Sequence, residues 1–373
     1  MDWISTLEMS SGLVLINISM LVVNFILSRK SLLEPYVISA NRRRFVVFMC
    51  FVFVIFSFWG SDWFHYVVGY KSLLAGQTGH MEDIYLFVAQ KLSIGYLSFR
   101  FLIWGSSLCL LLILINRLPI KKDLALFFLS TTMIIWFSYG RVSISMALMY
   151  LGASLMISPW KKKWLSFIVA CFLVYISTLF HKSSYFGVAM IILTILSYRF
   201  NRTAFTVLLL VSVPIFFYGV QDMFLFVDAM DADNEAGGIQ QSLYNGQYYM
   251  NLDGYSMGIG ARVQRYLEVA SYSIIACMCV QSLRNKKDRI PLPVTFFIRI
   301  ELLIIVFSLL LMLDFGYSTS TLSIRLLRFA IVPTIVVMSY FWQKNEYKKW
   351  SRLSLCGLLA CTAYTLLYTY YSN

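Results

Sequence analysis

The stretch SYGRVSISMALMYLG places one arginine, Arg141, between two apolar runs, LFFLSTTMIIWF and VSISMALMYLGASLMIS. An ionised guanidinium at or near hydrocarbon costs about 3 kcal/mol on insertion scales, so it is kept there for a partner or a task. Arg100, Lys182, Arg262, Arg265, Arg325 and Arg328 likewise stand where an apolar run begins or ends. Arg262 and Arg265 are three residues apart, as are Arg325 and Arg328, so on a helix each pair shares a face and can present two guanidiniums to one ligand. The planar guanidinium fork matches phosphate oxygens two at a time. Any one of these side chains could simply snorkel to lipid headgroups. The same placement on several helices points instead to an anionic ligand.

Other residue types narrow the chemistry. The three histidines, His65, His80 and His181, form no His-x-x-x-His or comparable ligand pattern, and a metal is not supported. The acids of VDAMDADNEA (Asp228, Asp231, Asp233, Glu235) lack the glycine and terminal glutamate spacing of a calcium loop and read as a solvated acidic loop. The nearby QQSLYNGQYYMN offers flat aromatic faces with amide partners, which suit sugar rings.

The elements that must position these residues are membrane helices. Of the 373 residues, 59% are hydrophobic and 13% charged. With a mean hydropathy of +0.72 the chain is too apolar for a soluble protein of this size. The expected fold is all-α, a polytopic membrane protein forming one domain over 1–373. With about 20 apolar residues per span, about twelve segments emerge, centred on 11–28, 45–60, 96–116, 124–138, 142–158, 165–180, 184–198, 203–220, 263–283, 296–314, 325–342 and 353–371. The net charge of +13 would suggest nucleic acid in a soluble chain. Here the basic residues gather in every second break (RK with NRRR, RLPIKK, PWKKKW, YRFNR, RNKKDR, QKNEYKKWSR), which assigns those breaks to the cytoplasm, both termini to the outside and no role to nucleic acid. The N-terminus MDWISTLEMSSG has no basic region of the signal-peptide kind. All seven cysteines lie in apolar runs, where they act as small hydrophobes. Two outward loops, 61–95 and 221–262, are long enough to expect function in them. The first carries apolar residues at helical spacing (Val67, Tyr70, Leu74; Tyr85, Val88, Leu92) and predicts interfacial helices.

Several motifs in order resemble one family. WGSDWFHYVVGY resembles the Gly-x-Asp-x-x-x-Tyr-x-x-x-Tyr pattern of EpsG-like polysaccharide polymerases, relatives of the Wzy O-antigen polymerases, with Asp62, Tyr66 and Tyr70 at its marked positions. MEDIYLFVAQKL, with Glu82, resembles the acidic segment that follows; YGRVSISMALMYLG resembles the family's Arg-started helix and FHKSSYFGV its His-Lys/Ser step, here His181 and Lys182. GARVQRYLE and LSIRLLRF resemble its arginine-bearing outer helix ends. His65 stands where the pattern has no histidine.

The resemblance implies a bacterial cytoplasmic-membrane glycosyltransferase that joins oligosaccharide repeat units, carried on undecaprenyl diphosphate, into O-antigen, capsule or exopolysaccharide, with a chain-length regulator protein as a further partner and no cofactor. Arginines at the outer face would stabilise charge on the departing diphosphate without a metal. An acceptor hydroxyl must lose a proton as it attacks, and Asp62, Glu82 and His181 are the candidates for taking it. A flippase or exporter of the same lipid-linked sugars would place charge near the bilayer midplane and break helices there, whereas nearly all the misfit charge here lies at one face. Another glycan-lipid transferase, such as an O-antigen ligase, also fits a helical membrane chain. A membrane O-acyltransferase of the common type would carry an early catalytic His, which ISTLEMSSGLVLIN lacks.

Overall fold

The computed structural model describes residues 11–33, 38–57, 63–76, 83–138, 142–159, 162–181, 183–198, 259–285, 289–311, 323 and 325–371, and among them there are helices and no strands. A described helix lies on each span expected from the sequence except 203–220, which falls outside the described residues. The helices are α1 (Ser11–Ser28), α2 (Ala40–Phe56), α3 (Trp63–Leu74), α4 (Asp83–Leu92), α5 (Tyr96–Arg117), α6 (122–138), α7 (Val142–Ile157), α8 (Lys163–Phe180), α9 (Ser184–Ser197), α10 (Ile259–Arg284), α11 (Leu292–Leu311), α12 (Ile331–Phe341) and α13 (Asn345–Tyr371). Among the described residues five helical stretches are long and apolar enough to cross a bilayer: Leu15–Leu32, Tyr96–Arg117, Lys163–Phe180, Arg262–Arg284 and Leu292–Leu309. The chain is therefore an all-α membrane protein.

Burial sorts the helices into a centre and a lipid-facing rim. On α7 every residue from Val142 to Leu155 is buried, and α12 is buried from end to end. α8, by contrast, turns Trp164, Phe167, Ile168, Phe172 and Tyr175 outward. Lipid gives helices no hydrophobic drive to associate, so small residues that let backbones approach do much of the work. α7 supplies them: its Gly152 faces α8 so closely that a Cβ there would lie 2.9 Å from both the Ala170 carbonyl oxygen and Val174 Cγ2. α10 and α13 pair in the same way, with Gly260 against Tyr364 and Gly357 against Ser271.

Two helices change register. α5 carries a π turn at Phe101–Gly105, and α6 one at Leu129–Met133. In α6 the hydroxyls of Thr131 and Thr132 donate back to the carbonyls of Phe127 and Phe128, at 2.6 and 2.8 Å, offering those carbonyls partners while the amide ladder shifts by a residue.

Contacts between helix ends define the two ends of the bundle. At one, Arg43 of α2 holds Asp123 of α6 through two hydrogen bonds of 2.7 and 3.2 Å, and Arg117 Nη2 donates to the Ser158 carbonyl at 2.7 Å. At the other, Trp104 Nε1 donates to the Ser138 carbonyl at 3.2 Å, and the Ser145 hydroxyl joins the first turn of α7 to Ser177 of α8, 2.8 Å away, and to Ser184 of α9. Across the second end lie α3 and α4, with Tyr70 on Phe99 at 4.7 Å between ring centroids and Tyr85 on Phe180 at 5.7 Å.

The α7–α8 contact yields a prediction. Gly152→Val inserts a branched side chain against a backbone carbonyl that cannot rotate away, so stability falls by about 3 kcal/mol, the upper end of overpacking costs. Gly95→Ala, where a new Cβ meets nothing within 4 Å, leaves stability unchanged. Thermal unfolding of the detergent-purified variants checks both, and equal melting temperatures for Gly152→Val and wild type would refute the close approach.

Candidate functional site

Basic side chains singled out in the sequence fall into different environments. Arg100 is structural: only 2% exposed, it donates to the Val54 carbonyl from Nε at 3.2 Å and Nη2 at 3.0 Å, and from Nη2 to the Ser57 hydroxyl at 2.8 Å. Those acceptors stand at the C-terminus of α2, whose last carbonyls have no partner within the helix. Its guanidinium also lies 4.9 Å from the Trp104 ring centroid. The charge is spent on carbonyls and an aromatic face.

His181 caps α8, its backbone N–H donating to the Ser177 carbonyl. Its Nδ1 accepts from the Ser183 backbone N–H at 3.2 Å and meets the Ser183 hydroxyl at 2.5 Å. With Nδ1 accepting, the neutral ring carries its proton on Nε2, so it offers a donor rather than a free lone pair. Beside this turn the α9 residue Phe186 packs on Phe329 with ring centroids 5.7 Å apart, and Tyr150 of α7 donates to the Phe329 carbonyl at 2.5 Å. That places the short turn Arg328–Ala330, at the head of α12, next to the His181 hairpin.

Arg262 and Arg265 occupy the first turns of α10; Arg262 and Arg325 are exposed, Arg265 and Arg328 partly buried. Gln264 between them donates to Thr365 of α13 at 2.8 Å. Arg265 Nη1 lies 3.9 Å from Oε2 of Glu268, three residues along α10, while Arg328 stands on the turn that leads into α12. Tyr70, carried by α3, is buried and donates its hydroxyl to the Ile94 carbonyl; burial pushes that hydroxyl above the usual phenol range, so it stays a neutral donor. Tyr66 also falls on α3. Asp62, Glu82, Arg141 and Lys182 lie outside the described residues, as does the 221–258 part of the second long loop.

Three buried charged residues escaped the sequence reading. Glu268 is 6% exposed, Arg299 7% and Glu301 fully buried. Glu301 sits nine residues along α11, about 14 Å from its start, where Thr334 of α12 donates to its Oε1 at 2.6 Å. Tyr150 and Tyr272 are within electrostatic range of it. Arg299 Nη1 donates to the Ser197 hydroxyl at 2.9 Å, and the guanidinium covers the Tyr198 ring at 4.6 Å. The signal was available in RIELL, two opposite charges inside an apolar run, which marks a bundle interior. Arg299 and Glu301 are thus exceptions to the expectation that nearly all misfit charge lies at one face. Among the described residues no group of three His, Cys, Asp or Glu side chains could hold a metal ion. A largely apolar groove of about 360 Å³ between α1, α6 and α13 is lined by Leu21, Phe25 and Leu366 with Thr131 and Thr362, whose hydroxyls donate to carbonyls of their own helices, and it presents no charged group to an anion.

Comparison with known proteins gives one match: the model of the EpsG family covers residues 42–373. No curated protein and no solved structure matches the chain.

The arginines are expected to separate by experiment. Arg100→Ala strips several acceptors of their charged donor, so folded protein in the membrane falls, by about 1–3 kcal/mol of stability, and any function falls only in proportion. Arg262→Ala, at an exposed position, leaves abundance unchanged. Quantifying detergent-extracted protein by size exclusion checks the pair; a normal yield of Arg100→Ala contradicts the structural assignment.

Proposed function

This chain belongs to the EpsG family, and from that premise we propose that it is a polymerase joining undecaprenyl-diphosphate-linked oligosaccharide repeat units into a surface polysaccharide at the outer face of the bacterial cytoplasmic membrane. What supports the reading is the family match together with Arg262 and Arg265 in the first turns of α10 and Arg328 in the turn at the head of α12, beside the His181 hairpin. A polyprenyl diphosphate keeps its phosphates at the membrane interface, where guanidiniums at helix ends can meet them.

In the reaction an acceptor hydroxyl oxygen of one repeat unit forms a bond to the sugar C1 of another. The bond from C1 to the diphosphate oxygen breaks, its electron pair leaves with the diphosphate, and the hydroxyl proton passes to a base. Charge grows on the leaving oxygen, and guanidiniums already in place stabilise it without a metal. Arg141, Arg262, Arg265, Arg325, Arg328 and Lys182 are assigned to the diphosphate, Tyr66 and Tyr70 to the glycan. The hydrogen bonds to His181 Nδ1 favour that ring as a donor to substrate and leave proton removal to Asp62 or Glu82. About twelve spans, with both termini outside and the basic breaks in the cytoplasm, complete the proposed topology. A chain-length regulator is the proposed protein partner.

A flippase or exporter of the same lipid-linked sugars draws support from Glu301 and Arg299, buried away from the helix ends. Transport sites near the midplane are typically built on interrupted helices. α11 runs unbroken through Glu301, and Thr334 already holds that carboxyl, which favours a packed structural role.

The test is chain length made by purified protein from lipid-linked repeat units in excess EDTA. Wild type produces a ladder. Arg141→Lys keeps the charge but loses the fork and is impaired; Arg141→Ala loses about 10²–10³ in turnover, by analogy with removing an oxyanion donor, at normal abundance. Near-normal ladders from both variants remove Arg141 from the site, and a ladder that needs a divalent ion overturns the arginine-only account.

A further inference from the structure

A serine just before a helix ordinarily turns its hydroxyl oxygen to the open amides of the first turn, which the helix itself leaves without acceptors. Ser183 stands at that place before α9 and makes no such cap. Its hydroxyl lies instead 2.5 Å from His181 Nδ1, and its backbone N–H donates to the same nitrogen at 3.2 Å. A ring nitrogen that accepts from an amide carries no proton, so the hydroxyl donates there too, and the neutral ring keeps its proton on Nε2. The turn that sets these positions is itself tied down. The Ser184 N–H donates to the His181 carbonyl at 3.0 Å, and the Ser145 hydroxyl joins Ser184 to the Ser177 carbonyl. A hydroxyl withdrawn from a helix cap and spent on one imidazole nitrogen is placed for the imidazole.

We propose that Ser183 is a positioning residue of the polymerase site: it fixes the tautomer and the angle of the His181 ring, so that Nε2–H meets the departing diphosphate as a hydrogen-bond donor. The turn carrying Arg328 stands beside the same hairpin. The inference rests on the polymerase reading given above and deepens it. Ser183 is not an activated nucleophile, although a serine hydroxyl on an imidazole nitrogen is the arrangement that activates one. Activation needs the nitrogen to take the hydroxyl proton, and the lone pair of Nδ1 is already shared with a backbone N–H that keeps its own. No covalent bond forms or breaks at either residue.

Charge grows on the leaving oxygen as its bond to C1 breaks, so a donor held for that oxygen acts on turnover rather than on binding. Ser183→Ala lets the ring turn and lowers kcat about 10-fold, within the range of coupling between side chains in contact, with KM unchanged. Ser183→Thr keeps the hydroxyl and recovers most of that rate. In a His181→Gln background no ring remains to be oriented, and Ser183→Ala costs at most about 2-fold. A serine that served only as the cap of α9 behaves differently: its loss lowers the melting temperature and leaves the rate per folded molecule unchanged.

The experiment measures kcat, KM and melting temperature for full-length wild type, Ser183→Ala, Ser183→Thr, His181→Gln and the Ser183→Ala/His181→Gln double variant, using purified protein and lipid-linked repeat units, with rates taken per folded molecule. A kcat loss in Ser183→Ala at wild-type KM and melting temperature is expected, restored by Thr and absent from the His181→Gln background. Wild-type kcat in Ser183→Ala, a KM rise at constant kcat, no recovery with Thr, or an undiminished loss beside His181→Gln overturns the proposal while leaving a polymerase. A wild-type protein that makes no polymer overturns the polymerase reading itself and this inference with it.

Discussion

A helix enclosed on every side inside a membrane has no water with which to satisfy a polar atom, and α7 is such a helix from Val142 to Leu155. Each of its polar groups must find a partner in the protein or go without. Ser154 turns back to the Leu151 carbonyl at 2.8 Å, Ser145 bridges to α8 and α9, and Tyr150 crosses to the Phe329 carbonyl. These bonds need close backbones, and close backbones need residues such as Gly152 where α7 meets Ala170. The same rule reaches the charged residues. Arg100 is bonded to the end of α2, Asp123 to Arg43, Glu301 to Thr334 and Arg299 to Ser197 and the Tyr198 ring.

Against that background, the arginine end stands apart. Arg262 and Arg325 are exposed, Arg265 lies 3.9 Å from Glu268, and Arg328 stands on the turn next to the His181 hairpin. The proposed polymerase reading calls for a ligand of the fitting kind, a sugar on a polyprenyl diphosphate, and arginine placement at helix ends suits its interfacial phosphates.

Hydropathy was enough to locate the helices, because a lipid-facing or buried span is apolar whatever it packs against; α5, α8, α10 and α11 lie where the apolar runs predict. The helical spacing of Val67, Tyr70 and Leu74, and of Tyr85, Val88 and Leu92, likewise anticipated α3 and α4. The roles of individual charges were not legible, since they depend on what a neighbouring helix presents. Arg100 and Arg265 look alike in sequence, each at the head of an apolar run. One meets the frayed carbonyls of α2 and the other a carboxylate one turn away. Glu268 and Glu301 were passed over because a single acid in a long helix resembles ordinary surface decoration until the helices around it are known. The π turn of α6 has no periodic signature at all, only the Thr131 and Thr132 hydroxyls that accompany it.

The central claim is that a lipid diphosphate binds at the arginine end of this bundle. An experimental map of the protein with undecaprenyl diphosphate bound tests it most directly. The account predicts diphosphate density within hydrogen-bonding reach of Arg265 and Arg328, near the His181 hairpin, with the isoprenoid chain running away along the helices. Diphosphate density at the Arg43–Asp123 end, or in the bundle interior beside Arg299, would contradict it.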